Sequence, residues 1–311
     1  MLQLINKNVL LSFSILLLVV IGCKKKDTKI EQPAPASPQS PYKSSTAWGK
    51  LGTSDNRLNN PEKIIATDSF VFINDDGNSK IKKFDHSGNF VSALSFSSPF
   101  YIYSNYLYVK SNLNDSCLIK FDLNFNQVAT YKFPAEIPFL YYDITGNDKY
   151  ALITLGNVTE PFLMKLNYAL LQQTTLGMLG TGNLEFKSNG TSVAVYAPGN
   201  SEIQPCYFVT DGGNYRIQQL DTSFNFIASI NTKSDNTSVL NSPNIIEANT
   251  EHIIISNSND AGDQIDFYDR KLRTFLYKLD LGGIFKTSIS TNQNKLFILT
   301  GDEPMVKVFT K

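Results

Sequence analysis

The feature that most constrains this chain is a stretch that occurs twice. Ser69 to Leu94, SFVFINDDGNSKIKKFDHSGNFVSAL, returns without a gap as Pro205 to Ile230, PCYFVTDGGNYRIQQLDTSFNFIASI. Asp75, Gly77, Asn78, Ile81, Asp85, Ser87, Asn89 and Phe90 coincide with Asp211, Gly213, Asn214, Ile217, Asp221, Ser223, Asn225 and Phe226. Each copy reads as three short strands joined by two polar turns. A unit this thin cannot bury its own apolar faces, so it must stack on others of its kind.

Polar turns of the same type divide the rest of the chain. Asp85, Asp122, Asn167, Asp221, Asp269 and Thr310 close successive units and stand about 37 to 54 residues apart, the spacing of propeller blades. The entry motif Leu58-Asn59-Asn60-Pro61 also returns, as Leu240-Asn241-Ser242-Pro243. Composition fits this reading. Hydrophobic residues make up 42% of the chain and aromatics 12%, enough for a sizeable core. A charged fraction of only 18% alongside many Asn, Ser, Thr, Tyr and Phe favours strands and turns. No helical apolar spacing is sustained beyond residue 30.

The expected fold is therefore all-β, a six-bladed β-propeller over residues 46–311. Blade four carries an insertion from Gly177 to Gly190. Blade six supplies only three strands before the chain stops, and Thr46–Leu51 is the strand available to complete it beside Met305–Phe309. Joining the two ends in this way removes the open sheet edge that would otherwise aggregate.

Asp75-Asp76-Gly77-Asn78-Ser79-Lys80-Ile81 and Asp211-Gly212-Gly213-Asn214-Tyr215-Arg216-Ile217 resemble the Asp-x-Gly-Asn-x-Arg-Ile signature of NHL repeats. The upstream Leu-Asn-x-Pro and the downstream Phe84, Asp85, Gly88 and Phe90 are similar to the rest of that pattern. Blades two, three and six lack the Gly-Asn pair, and there the resemblance rests on spacing. It implies a six-bladed NHL-like propeller. NHL propellers include protein-binding modules, RNA-binding modules and some enzymes, so the fold leaves function open.

Ahead of the repeats, residues 1–22 read as an export signal, with Lys7 in the n-region and an apolar stretch from Val9 to Ile21 too short to span a membrane comfortably. It ends in Val20-Ile21-Gly22-Cys23, which resembles the lipobox of bacterial lipoproteins. That resemblance implies cleavage before Cys23 and acylation of its thiol, hence an anchor in the cell envelope, at the outer membrane or cell surface. Residues 23–45, with Lys24-Lys25-Lys26 and then Pro33, Pro35, Pro38 and Pro41, read as a disordered, semi-extended tether. At ~3.1 Å per residue it could hold the propeller up to about 60–70 Å from the membrane. Basic and acidic residues balance at 28 each, which gives no nucleic-acid footprint. Cys117 and Cys206 fall in different blades and read as free buried thiols.

Function is sought on one face. In a propeller the loops joining second to third strands share a side with the connections between blades. Here they gather Asp76, Asn114, Glu160, Asp211, Asn259 and Asp302, an oxygen-rich rim suited to hydrogen-bonding a peptide or glycan. No cofactor is required, although such oxygens also suit Ca²⁺. Turn formation alone asks for the same residues, and Asp211 with Arg216 and Asp75 with Lys80 are expected to pair locally. Tyr101, Tyr103, Tyr106 and Tyr108 alternate along two strands, as an inter-blade packing set or a sugar-stacking platform. His86 and His252 fall in turns on the opposite face, read as surface histidines, and make no catalytic triad. The expectation is a membrane-anchored, non-enzymatic module for a protein, peptide or glycan. The alternative is a metal-dependent lyase or hydrolase with its site in the central channel.

Overall fold

The structure is a computed structural model. It describes residues 40–311 apart from 97, 112–116, 135–140, 156–162, 188–193, 232–239, 241–242, 244, 260–261, 272, 283–285 and 302. Cys23 and the segments expected to be an export signal and most of a tether lie outside the described residues.

Six four-stranded antiparallel sheets make six blades of a β-propeller. Blade one is Pro61–Ala66, Phe70–Asp75, Lys80–Asp85 and Phe90–Leu94, from inner to outer strand. Blade two is Phe100–Tyr103, Tyr106–Lys110, Cys117–Asp122 and Gln127–Lys132, and blade three is Tyr141–Gly146, Tyr150–Leu155, Leu163–Asn167 and Gln172–Leu176. Blade four is Ala194–Ala197, Cys206–Asp211, Arg216–Leu220 and Phe226–Ile230, and blade five is Ile245–Ala248, His252–Asn259, Gly262–Asp269 and Phe275–Asp280. Blade six is Lys286–Asn292, Lys295–Thr300 and Met305–Thr310, completed on its outside by Lys43–Trp48.

Burial explains the ring. Second strands alternate their side chains between two neighbours, as a strand buried on both faces must. In blade one Val71 and Ile73 pack toward blade six while Phe72 packs toward blade two. In blade four Phe208 packs toward blade five, and Tyr207 and Val209 toward blade three. The buried side chains fall into six clusters, one at each junction between adjacent blades. Remove one blade and two clusters lose half their walls.

The latch forms as expected but begins earlier. The closing strand is Lys43–Trp48 rather than Thr46–Leu51, with Lys43 opposite Thr310 and Trp48 opposite Val306. Contact with the propeller is already made at Ser40, whose N–H donates to the Lys278 carbonyl at 2.7 Å. The reason is packing: Tyr42 is buried and stacks on Phe267 with ring centroids 5.4 Å apart. Blade five also differs from expectation. Asn259, expected in a loop between second and third strands, lies in the ladder: Asn257 pairs with Gln264, Ser258 with Asp263 and Asn259 with Gly262. Polar turn-forming residues are carried into the ladder by the strands on either side.

Candidate functional site

The repeated Asp-x-Gly-Asn turn is a staple. Phe70–Asp75 ends at Asp75, whose buried carboxylate accepts from Asn59 N at 2.6 Å and Asn78 Nδ2 at 2.7 Å. Asn78 Nδ2 also reaches the Gly52 carbonyl at 3.0 Å. Gly77 donates its N–H to the Asn59 carbonyl at 2.9 Å, and a Cβ there would stand 2.7 Å from that oxygen. The glycine is thus required by close approach of the preceding loop. In blade four Asp211 accepts from Lys187 N at 3.2 Å, Asn214 Nδ2 at 3.0 Å, Arg216 Nε at 2.8 Å and Gln218 Nε2 at 3.2 Å. Arg216 and Gln218 extend the staple to the carbonyls of Thr181, Gly182 and Glu185 in the insertion.

Of the sequence-predicted rim, Asp211 is 2% exposed with its carboxylate engaged in that staple. Asp76 is half-buried, and its charge, after burial itself, helps push the Glu62 carboxyl upward against the hydrogen bond from Asn74. Asn259 lies at the end of a strand. Asn114, Glu160 and Asp302 lie outside the described residues. Asp211 pairs with Arg216 as expected. Asp75, however, pairs with Lys82 rather than Lys80, which goes to Asp55 at 3.1 Å. Asp75 is enclosed beneath its turn, where Lys82 reaches it, while Lys80 stays at the partly exposed edge.

The central channel is where charge from several blades meets. An innermost strand has one edge without a strand partner, and its N–H groups need acceptors. Neighbouring inner strands supply hydroxyls: Ser288 Oγ accepts from Ile64 N at 3.2 Å, Ser290 Oγ from Ala66 N at 2.9 Å and Thr145 Oγ1 from Tyr196 N at 2.9 Å. Into this polar lining come Lys63 of blade one, Asp143 of blade three and Glu247 of blade five. Lys63 Nζ donates to Asp143 Oδ1 and, at 3.0 Å, to the Ile144 carbonyl. Glu247 keeps some open surface, yet burial pushes its carboxyl up to about 8 against the pull of Lys63 and the backbone N–H of Thr291, with Asp143 adding to the rise. The result is a paired cation and anion beside a carboxyl that keeps its proton at neutral pH. Such a group can donate a hydrogen bond, or a proton, where an ionised carboxylate can only accept.

No protein-family model matches the chain, and no curated protein matches it. Solved structures do. Virginiamycin B lyase from Staphylococcus aureus aligns over 87% of this chain and 99% of its own, at 11% identity and a TM-score of 0.52. A protein of Bacteroides fragilis assigned as exported aligns over 88% and 96%, at 13% identity and a TM-score of 0.56. A streptogramin B lyase structure aligns over 84% and 96%, at 13% identity and a TM-score of 0.51. What is shared is the propeller fold.

Three further readings meet this propeller. Tyr101 and Tyr108 are buried, and Tyr101, Tyr108, Tyr131 and Tyr168 pack between blades two and three, so at least two of the four alternating tyrosines are core. His86 and His252 do lie on the face opposite the rim, but both are part-buried. His86 Nε2 meets the Thr67 carbonyl at 2.9 Å, and burial followed by Lys311 lowers His252 below the ordinary range. Cys117 and Cys206 are free and buried. Among the described residues no group of three or more His, Cys, Asp and Glu is arranged to hold a metal ion. Sequence reading missed Lys63, Asp143 and Glu247. The available signal was an ionisable residue inside the first strand of a blade, flanked by apolar neighbours as in Ile246-Glu247-Ala248.

Proposed function

We propose that this chain is an envelope-tethered NHL-like propeller that binds a protein, peptide or glycan through its channel and the rim above it. The observation that carries the reading is the convergence of Lys63, Asp143 and Glu247 from three blades on one polar channel. A cation, an anion and a protonated carboxyl together offer a polar ligand both donors and acceptors. The insertion adds apolar surface on the same side as the rim, Met178 and Leu179 at 54% and 50% exposed, and Tyr215 of the blade-four turn is 49% exposed on that side, which suits a peptide or protein partner. The full chain in detergent, screened on peptide and glycan arrays, tests the idea. A ligand found there should lose about tenfold or more in affinity on Glu247→Gln or Lys63→Gln. A ligand indifferent to both changes and to Asp76→Ala removes the reading.

The anchor is part of the same proposal and has its own test. Cells fed an alkyne-bearing fatty acid should label the wild-type chain, and Cys23→Ser should abolish the label. Labelling that survives the substitution places the lipid elsewhere.

Two observations favour the second reading, a metal-dependent lyase or hydrolase. A carboxyl titrating near 8 is poised to deliver a proton to a leaving group, and two of the similar folds belong to proteins named as lyases. Slow conversion of an array ligand, lost on Glu247→Gln while binding persists, would favour the enzyme over the module.

A further inference from the structure

On the face opposite the rim, blades four and five leave a cleft of about 380 Å³ between them. Arg270 lines it and is 1% exposed. Its terminal nitrogens donate only to neutral acceptors. Nη1 reaches the carbonyls of Pro198 and, at 2.8 Å, Asn249, while Nη2 reaches those of Ala197 at 3.1 Å and Gln204 at 3.0 Å and the Cys206 thiol at 3.4 Å. Its Nε is also enclosed and has no hydrogen-bond partner among the described residues. Among those residues no carboxylate pairs with it. Carbonyl dipoles solvate this guanidinium but do not cancel its charge, so a buried positive charge stands uncompensated beside the cleft.

The other charges of the cleft do not compensate it. Glu202 is taken by Lys271 at 2.9 Å. Asp221 accepts from the N–H groups of Ser223 and Asn225 in its own turn, both at 2.8 Å. Exposed Arg273 makes one side-chain hydrogen bond among the described residues, Nη1 to Gln219 Oε1 at 3.3 Å, which leaves most of its fork open. Ile203, Pro205 and Ile227 supply apolar wall.

We propose that this cleft is a second binding site, for a ligand bearing a single carboxylate on a small apolar body. The open fork of Arg273, beside the buried charge of Arg270 and with no acidic partner for either among the described residues, favours a planar monoanion. The flanking carboxylates of Glu202 and Asp221 disfavour a compact dianion such as phosphate. The volume falls in the range of about 300–1,000 Å³ typical of small-molecule sites. A free peptide C-terminus and a small branched organic acid share this chemistry. The site contains none of Lys63, Asp143 and Glu247 and stands or falls independently of the channel.

The test titrates the full chain in detergent, by calorimetry, with N-acetyl-leucine, its neutral amide, 4-methylpentanoate and inorganic phosphate. At least one of the two acids should bind saturably. N-acetyl-leucine the tighter by about tenfold marks a peptide C-terminus, and equal or tighter binding of 4-methylpentanoate marks an organic acid. The amide, and either acid against Arg273→Glu, should be weaker by about tenfold or more, with Trp48 fluorescence unchanged and Lys63→Gln without effect. The proposal is overturned if neither acid binds, if the amide matches N-acetyl-leucine, if phosphate binds more tightly than both acids, or if Arg273→Glu binds like the wild type.

Discussion

Asp75 and Lys82 form an ion pair of 2.8 Å in which both side chains are fully buried. The equivalent position in blade four holds Gln218, and there the cation on the buried aspartate is Arg216, two residues earlier. Each staple keeps one cation per buried carboxylate, but the two blades place it differently. Lys80 of blade one, at the position of Arg216, is left to pair with Asp55 in a partly exposed bridge.

A double substitution tests this exchange. Lys82→Gln leaves Asp75 buried without its cation and is expected to cost about 3–5 kcal/mol, the usual penalty for removing one partner of a buried pair. Adding Lys80→Arg recreates the arrangement of blade four and should recover a large part of that loss. Denaturant unfolding of the wild type, single and double variants gives the comparison. No recovery in the double variant would show that the two staples are not interchangeable.

Ring closure has its own reporter. Trp48, the one tryptophan of the chain, sits at the end of the closing strand and packs on Phe84 of blade one at 5.1 Å between rings. Gly88, in the turn before blade one's outer strand, has φ +87°, and a Cβ there would stand 2.3 Å from Trp48 Cγ. Gly88→Ala therefore combines a left-handed backbone, unfavourable by about 1–2 kcal/mol for a non-glycine residue, with a displaced indole. The expected result is a red-shifted emission in native buffer and a lower unfolding midpoint. An unchanged spectrum and midpoint would mean that Trp48 does not hold the latch.

Glu247 gives the fold a pH dependence of definite sign. Its carboxyl moves from 4.5 in the unfolded chain to about 8 when folded, chiefly through burial. Between those values the unfolded state has lost the proton and the folded state keeps it, so stability falls as pH rises and levels off above about 8. Glu247→Gln removes this slope. Melting temperatures taken below, within and above the window should converge at low pH, with the variant the more stable at high pH. Parallel curves for the two proteins would refute the assignment.

Much of this was legible in the sequence because turns have strict chemistry. Asp85, Asp122 and Asp221 each accept two backbone N–H groups and the amide of the asparagine four residues on, so one side-chain pattern marks three blades. The closing strand was legible because an incomplete sheet needs a partner. The cation on Asp75 was not, since ladder pairing places Lys80 opposite Asp75 while the buried side chain of Lys82 makes the contact. The hairpin of blade five was hidden by residues that usually break strands. The channel charges and the Arg270 cleft were hidden for a different reason. Both are made by residues from separate blades, and a repeat pattern does not state which side chains the ring brings together.

Two tyrosines that stack on each other should respond oppositely to loss of the hydroxyl. Tyr101 and Tyr108 lie parallel, with ring centroids 4.7 Å apart and 4° between planes, and both are buried. The Tyr101 hydroxyl donates to the Asn147 carbonyl at 3.0 Å and also meets the Tyr168 hydroxyl, so it joins blade two to blade three. The Tyr108 hydroxyl is buried with no hydrogen-bond partner among the described residues. Tyr101→Phe strands the Asn147 and Tyr168 oxygens and is expected to cost about 1 kcal/mol or more. Tyr108→Phe keeps the ring stack and removes an oxygen that burial has stripped of water, so it should be neutral or stabilising. Denaturation midpoints measured side by side decide the matter, and a clear loss in Tyr108→Phe would mean that its hydroxyl has a partner in solution.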